Sequence, residues 1–156
     1  MSRLQWVFLA YKLPREPSTP RIAVWRTLRR LGAVQVLDGL VALPLDARTR
    51  EQFEWVADDV VAAGGESSIW IAEAATARIE RQLAARMAST IAAEYTAIRD
   101  EARALRVGGD ADRRAVARLR RDLQRVRARD FFPPAARDDA TAEVDALVRD
   151  AERSLR

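Results

Sequence analysis

The apolar pattern of this chain changes period once, at Glu73, and that switch limits what it can fold into. Before Glu73, apolar residues come in short runs closed by proline, glycine or Asp-Gly, a strand-and-turn signal; after it they recur every three or four residues, a helix signal. Gln5 to Tyr11 reads as a strand ended by Pro14, with Pro17 and Pro20 keeping the chain extended. Ser18 or Thr19 can cap the helix that follows, with Pro20 in its first turn and Gly32 as its stop. Val34 to Leu37 and Leu40 to Leu43, joined by Asp38-Gly39 and closed by Pro44, form a hairpin. Asp46 caps a second helix from about Ala47 to Ala63, with Phe53, Val56 and Val60 on one face and Gly64-Gly65 as its exit. Ser67 to Ala72 is the fourth strand. The order βαββαβ is that of the ferredoxin-like fold.

Beyond Glu73, Ile79, Leu83, Met87, Ile91, Tyr95, Ile98, Ala102 and Leu105 mark a long helix stopped at Gly108-Gly109, about 45 Å at 1.5 Å per residue. A helix over about Asp112 to Arg129 and another over about Asp138 to Leu155 follow, separated by Phe131-Phe132-Pro133-Pro134. The expectation is an α+β chain: a ferredoxin-like half over 1–72, then an α-helical arm over 73–156, a long helix plus a helical hairpin, packed on it. Both sheet faces are apolar. Trp6 and Phe8 point one way, Val7 and Leu9 the other, and two crossover helices cover only one face. The other calls for the helical arm or a second subunit.

The 156 residues include no cysteine and no histidine, which removes thiolate chemistry and the commonest general base and metal ligand. No clustered carboxylates suggest a metal loop, so no enzyme, cofactor or metal is expected. No apolar stretch approaches the roughly 20 residues of a membrane span. The run from Trp6 to Tyr11 is short for a signal peptide, and a cytoplasmic location is the expectation.

Charge is unevenly spread. Residues 1–31 carry seven bases against Glu16 alone, a balance of +6, whereas residues 32–72 balance at −5. On the first helix Val24, Leu28 and Leu31 form the buried stripe, with Trp25 at its edge and Arg26, Arg29 and Arg30 facing outward. Arg21 and Arg29 flank Trp25 at four-residue spacing, so a guanidinium can cover the indole, or both can meet a phosphate and a base. Trp25 as a simple anchor among solvated arginines fits the same spacing. The second cluster, Arg113 to Arg129, holds eight arginines and only Asp122. Arg114, Arg118, Arg121, Arg125 and Arg129 line one face, a ribbon about 22 Å long that can follow a nucleic-acid backbone. Acids of the last helix, Asp138, Asp139, Glu143, Asp145, Asp150 and Glu152, could instead neutralise it in surface ion pairs.

Tyr11-Lys12-Leu13-Pro14-Arg15-Glu16-Pro17-Ser18, then Val24-Trp25-Arg26 and Leu28-Arg29-Arg30-Leu31-Gly32-Ala33, resembles the N-terminal region of the ChrB chromate-resistance regulators. The likeness continues more loosely through Asp38-Gly39, Leu43-Pro44, Arg48 to Trp55 and Gly64-Gly65-Glu66, and as pattern through Arg129-Asp130-Phe131-Phe132. It implies a DNA-associated regulatory or accessory protein. Regulators of that family carry a further C-terminal domain absent from these 156 residues, so the expectation is a stand-alone module. The element order is also similar to small CRISPR-associated nucleases, which hold an aspartate after the first strand; Lys12-Leu13-Pro14-Arg15 stands in that place and does not support nuclease chemistry.

Two functions follow as expectations. One is a non-enzymatic DNA-binding module contacting phosphates through Lys12, Arg15, Arg21, Trp25, Arg26, Arg29 and Arg30 and through Arg114, Arg118, Arg121 and Arg125. The other is a protein-interaction module, homodimeric or serving a partner chain. No helix-turn-helix is evident, so neither reading includes sequence-specific base recognition.

Overall fold

The computed structural model describes residues 3–156. Its element order is β1 (Gln5–Lys12), α1 (Thr19–Leu31), β2 (Val34–Leu37), β3 (Leu40–Pro44), α2 (Ala47–Ala62), β4 (Glu66–Glu73), α3 (Ala77–Gly108), α4 (Arg113–Ala128) and α5 (Ala136–Ser154). The four strands form one antiparallel sheet in the order β2-β3-β1-β4, the ferredoxin-like arrangement. The fold class read from the sequence is the observed one. The chain divides into two compact units, Met1–Met87 and Ala88–Arg156, with the division falling inside α3.

In the first unit, Ser67 Oγ donates to the Ala57 carbonyl of α2 at 3.2 Å, which marks the helix-covered face of the sheet. Tyr11, Leu9 and Val7 pair with Ser67, Ile69 and Ile71 and share that face. Val24 and Leu28 of α1 and Phe53, Val56 and Val60 of α2 are buried with Val7 and Leu9. Trp6, Phe8 and Ala42 occupy the opposite face. There the first turns of α3 reach the sheet ends: Glu80 accepts from the Leu4 amide at 2.6 Å, and Arg86 donates to the Gln35 carbonyl of β2. Trp6 and Ala42 are fully buried. Trp70 on the edge strand β4, paired with Phe8, remains 62% exposed.

Two helix starts contrast. Asp46 caps α2 as expected, accepting from the Thr49 amide at 2.7 Å while Thr49 Oγ1 accepts from the Asp46 amide at 2.9 Å, a reciprocal capping box. Ser18 precedes α1, but its backbone is already helical (φ −78°, ψ −18°) and its side chain makes no capping bond. The expected side-chain cap is thus absent; Pro20, whose ring fixes a helical φ, starts the helix instead. Gly32 ends α1 in the left-handed region (φ 81°), with the Ala33 amide donating to Leu28 at 3.1 Å and that of Gly32 to Arg29 at 3.1 Å.

The second unit contains the later turns of α3 with α4 and α5. Ile91, Tyr95, Ile98 and Ala102 of α3, Leu119, Leu123 and Val126 of α4, and Ala140, Val144 and Leu147 of α5 form one buried cluster. The α3 stripe read at three- and four-residue spacing supplies Ile91, Tyr95, Ile98 and Ala102 of that cluster, whereas Ile79, earlier in the same stripe, is exposed.

Candidate functional site

β1 delivers the basic loop to a fixed place because its end is gripped on two sides. The Tyr11 amide donates to the Gly39 carbonyl at 2.8 Å, tying the strand end to the hairpin tip. A Cβ at Gly39, where φ is +75°, would stand 2.5 Å from the Tyr11 carbonyl oxygen. At Gly65 a Cβ would collide with the Lys12 carbonyl oxygen and stand 2.9 Å from Val60 Cγ1. Gly65, read from sequence as a helix stop, is therefore also a position of close backbone approach.

Beyond this grip the chain turns through Leu13 and Arg15 into α1, beside an open concavity of about 750 Å³. Lys12, Arg15, Arg21, Trp25 and Arg26 all line it, so five of the seven site residues expected in this region are brought together. Arg29 stands outside the lining, its guanidinium 4.9 Å from the centre of the Trp25 ring. That is one of the three arrangements the spacing allowed. Arg30 is exposed and does not line the concavity.

Among the described residues, none of Lys12, Arg15, Arg21, Arg26 and Arg30 makes an ion pair. Asp38 is the acid in the lining, and it accepts from Gln35 Nε2 at 3.0 Å. Burial raises the Tyr11 hydroxyl above its ordinary pKa, with Arg21 opposing and Asp38 reinforcing the shift. The wall thus combines free cations with half-exposed aromatic surface.

The α4 ribbon has a different electrostatic setting. Arg118 pairs with Glu101 of α3 and lies 3.6 Å from Asp122. Arg125 is 3.7 Å from Asp122. Arg129 pairs with Glu94 of α3 through both guanidinium nitrogens, one bond being 2.7 Å. Arg114 and Arg121, with Arg113 and Arg120, make no ion pair among the described residues, and Arg114, Arg118 and Arg121 line a depression at the start of α4. The ribbon is neutralised in part, by Glu94 and Glu101 of α3 and by Asp122 of α4 itself, and, among the described residues, not by α5. Two acids of α5 pair with α3 instead: Glu143 binds Arg103 at 3.1 Å and Arg106 at 2.9 Å, and Asp150 binds Arg106 at 2.9 Å. Hydrogen bonds from Arg106, then Arg103, hold Glu143 below the usual carboxylate range.

Sequence reasoning missed one polar pair of the second unit. Tyr95, assigned only to an apolar stripe, is fully buried and donates to Asp130 Oδ2 at 2.7 Å. Its hydroxyl is driven far above the ordinary tyrosine pKa by burial first and by that bond second. A tyrosine in an apolar stripe was the available signal, since a buried phenol needs a partner.

A ferredoxin-like sheet unit followed by a helical extension defines an α+β module with two arginine-rich surfaces. The chain belongs to the family described as Protein ChrB, N-terminal, which matches residues 21–107, more than half of its length. It is 30% identical over 155 residues to Protein ChrB of Cupriavidus metallidurans, a similarity covering 96% of this chain and 46% of that protein. The chain therefore spans less than half the length of this curated relative. No solved structure matches it.

Proposed function

We propose that this chain is a non-enzymatic, DNA-associated regulatory module of a chromate-resistance system, acting in the cytoplasm and holding phosphates on the surface from Lys12 to Arg30. The observation that carries the reading is the convergence of Lys12, Arg15, Arg21 and Arg26 on one concavity without ion-pair partners among the described residues. Exposed cations of this kind neutralise phosphates and release their condensed counterions, whereas a cation already held by a carboxylate must first give up that partner. Family membership supports the regulatory setting. The lack of histidine and cysteine supports a binding role over a chemical one.

The phosphate contacts position the protein without reading sequence. Fluorescence anisotropy of a labelled DNA duplex at several salt concentrations tests the proposal. Four engaged cations give a log–log salt slope of about −3 to −4, at about −0.9 per phosphate. Binding no tighter than micromolar with a flat salt response overturns it.

A further inference from the structure

The concavity beside Trp25 is more than a basic patch. Its volume of about 750 Å³ lies within the range of roughly 300–1,000 Å³ typical of small-ligand pockets. Its lining divides chemically: Lys12, Arg15, Arg21 and Arg26 supply positive charge, while Tyr11, Leu13, Ile22 and Trp25 supply apolar and aromatic surface. Trp25 is 50% exposed and Ile22 47% exposed. A bare inorganic anion would leave the aromatic wall without a role, and an apolar ligand would leave the cations unmatched. Arg29 lies over the indole from outside the lining, its guanidinium 4.9 Å from the ring centre.

We infer that this concavity binds one nucleoside monophosphate unit, its base against Trp25 and its phosphate among Lys12, Arg15 and Arg21. A paired duplex keeps its bases stacked inside, so the unit comes either as a free nucleotide or as an unpaired nucleotide of a DNA strand. The strand-borne source rests on the DNA-associated reading above; the free source stands independently of it. Tyr11 and Ser18 bring two hydroxyl-bearing side chains to the same wall, and either hydroxyl can donate or accept at neutral pH.

Isothermal titration calorimetry of the full chain with AMP and with inorganic phosphate tests the free source. Competition between plain duplexes and duplexes carrying one unpaired adenine tests the strand-borne one. Stacking on Trp25 makes AMP about tenfold tighter than phosphate, or gives the unpaired adenine an advantage of about tenfold, and either outcome supports the inference. Trp25→Ala cancels that advantage, Trp25→Phe keeps part of it, and Arg21→Gln weakens AMP and phosphate alike. The inference fails if AMP binds no better than phosphate and the unpaired adenine brings no gain. It fails equally if Trp25→Ala leaves the gain intact. Neither failure touches the salt slope for plain duplex, which judges the DNA reading by itself.

Discussion

The Lys12–Arg30 surface and the α4 ribbon are similarly rich in cations but differ in what stands beside them. On α4, Arg118 and Arg129 meet Glu101 and Glu94 of α3, and Asp122 sits one turn from both Arg118 and Arg125. At the first surface, α2 neighbours α1 and carries Glu51, Glu54, Asp58 and Asp59, yet none of them pairs with an α1 arginine among the described residues. Glu54 is taken by Arg50 at 3.2 Å. Cation count along the sequence is thus a poor guide to available charge. A ribbon along a helix flanked by an acidic helix loses part of its field to its neighbour, whereas cations at a strand-loop-helix corner keep theirs.

The sharpest way to break this contrast is to reverse equal charge in both places. Arg21→Glu with Arg26→Glu should weaken duplex binding by about a hundredfold in 0.1 M salt, since each lost phosphate contact there costs on the order of tenfold. Arg118→Glu with Arg125→Glu changes net charge equally but should weaken it by no more than about threefold, because both arginines already face carboxylates. Anisotropy titrations of the two double variants side by side make the comparison. Equal losses would mean that ion pairing does not decide which arginines are available.

Legibility followed the range of the interactions involved. The strands, the Asp38-Gly39 hairpin, the Asp46 cap and the Gly32 stop depend on neighbours within a few residues, and periodicity and turn chemistry report those. The composition switch at Glu73 coincides with the end of β4. Which face of the sheet each β1 residue takes was also readable, because alternation fixes it. Pairing over long sequence separation was not. Nothing local says that Glu94 and Glu101, rather than the more acidic α5, face the ribbon, or that Gly65 gives way to the Lys12 carbonyl. Convergence of Lys12, Arg21 and Trp25 on one concavity needed the grip of Gly39 and Gly65 on the end of β1, which spacing alone does not carry.

A second test removes the tie that fixes the ribbon opposite its acids. Asp130 lies just past the end of α4, and Tyr95 of α3 donates to it; Asp130 Oδ1 is buried and has no partner among the described residues. Tyr95→Phe therefore leaves a part-buried carboxylate with less satisfaction still and should cost about 1–3 kcal/mol in denaturant unfolding at pH 7. The pH dependence has a definite sign. Tyr95 has its pKa raised on folding, so its contribution is complete below the unfolded tyrosine value of about 10 and is lost as pH climbs through the folded value. The gap between wild type and Tyr95→Phe should hold from pH 7 to 9 and narrow above about pH 10. Some alkaline loss persists in the variant because Tyr11 is shifted in the same direction. A gap that widens at high pH would show that the phenol is not held neutral by this environment.

The smallest effect expected comes from freeing the ribbon instead of destroying it. Glu94→Gln with Glu101→Gln removes the carboxylates that hold Arg129 and Arg118 while keeping side-chain shape and some hydrogen bonding. If pairing is what silences these arginines, the double variant should bind duplex about two- to fivefold tighter and steepen its salt slope by one to about two units. Part of the gain is offset, because Asp122 remains within 3.6 Å of Arg118 and the pairs had also restrained two flexible side chains. An unchanged slope with wild-type stability would mean that the pairing of Arg118 and Arg129 does not decide whether the ribbon meets DNA. In that case the first surface owes its role to the concavity around Trp25 as much as to its unpaired charge.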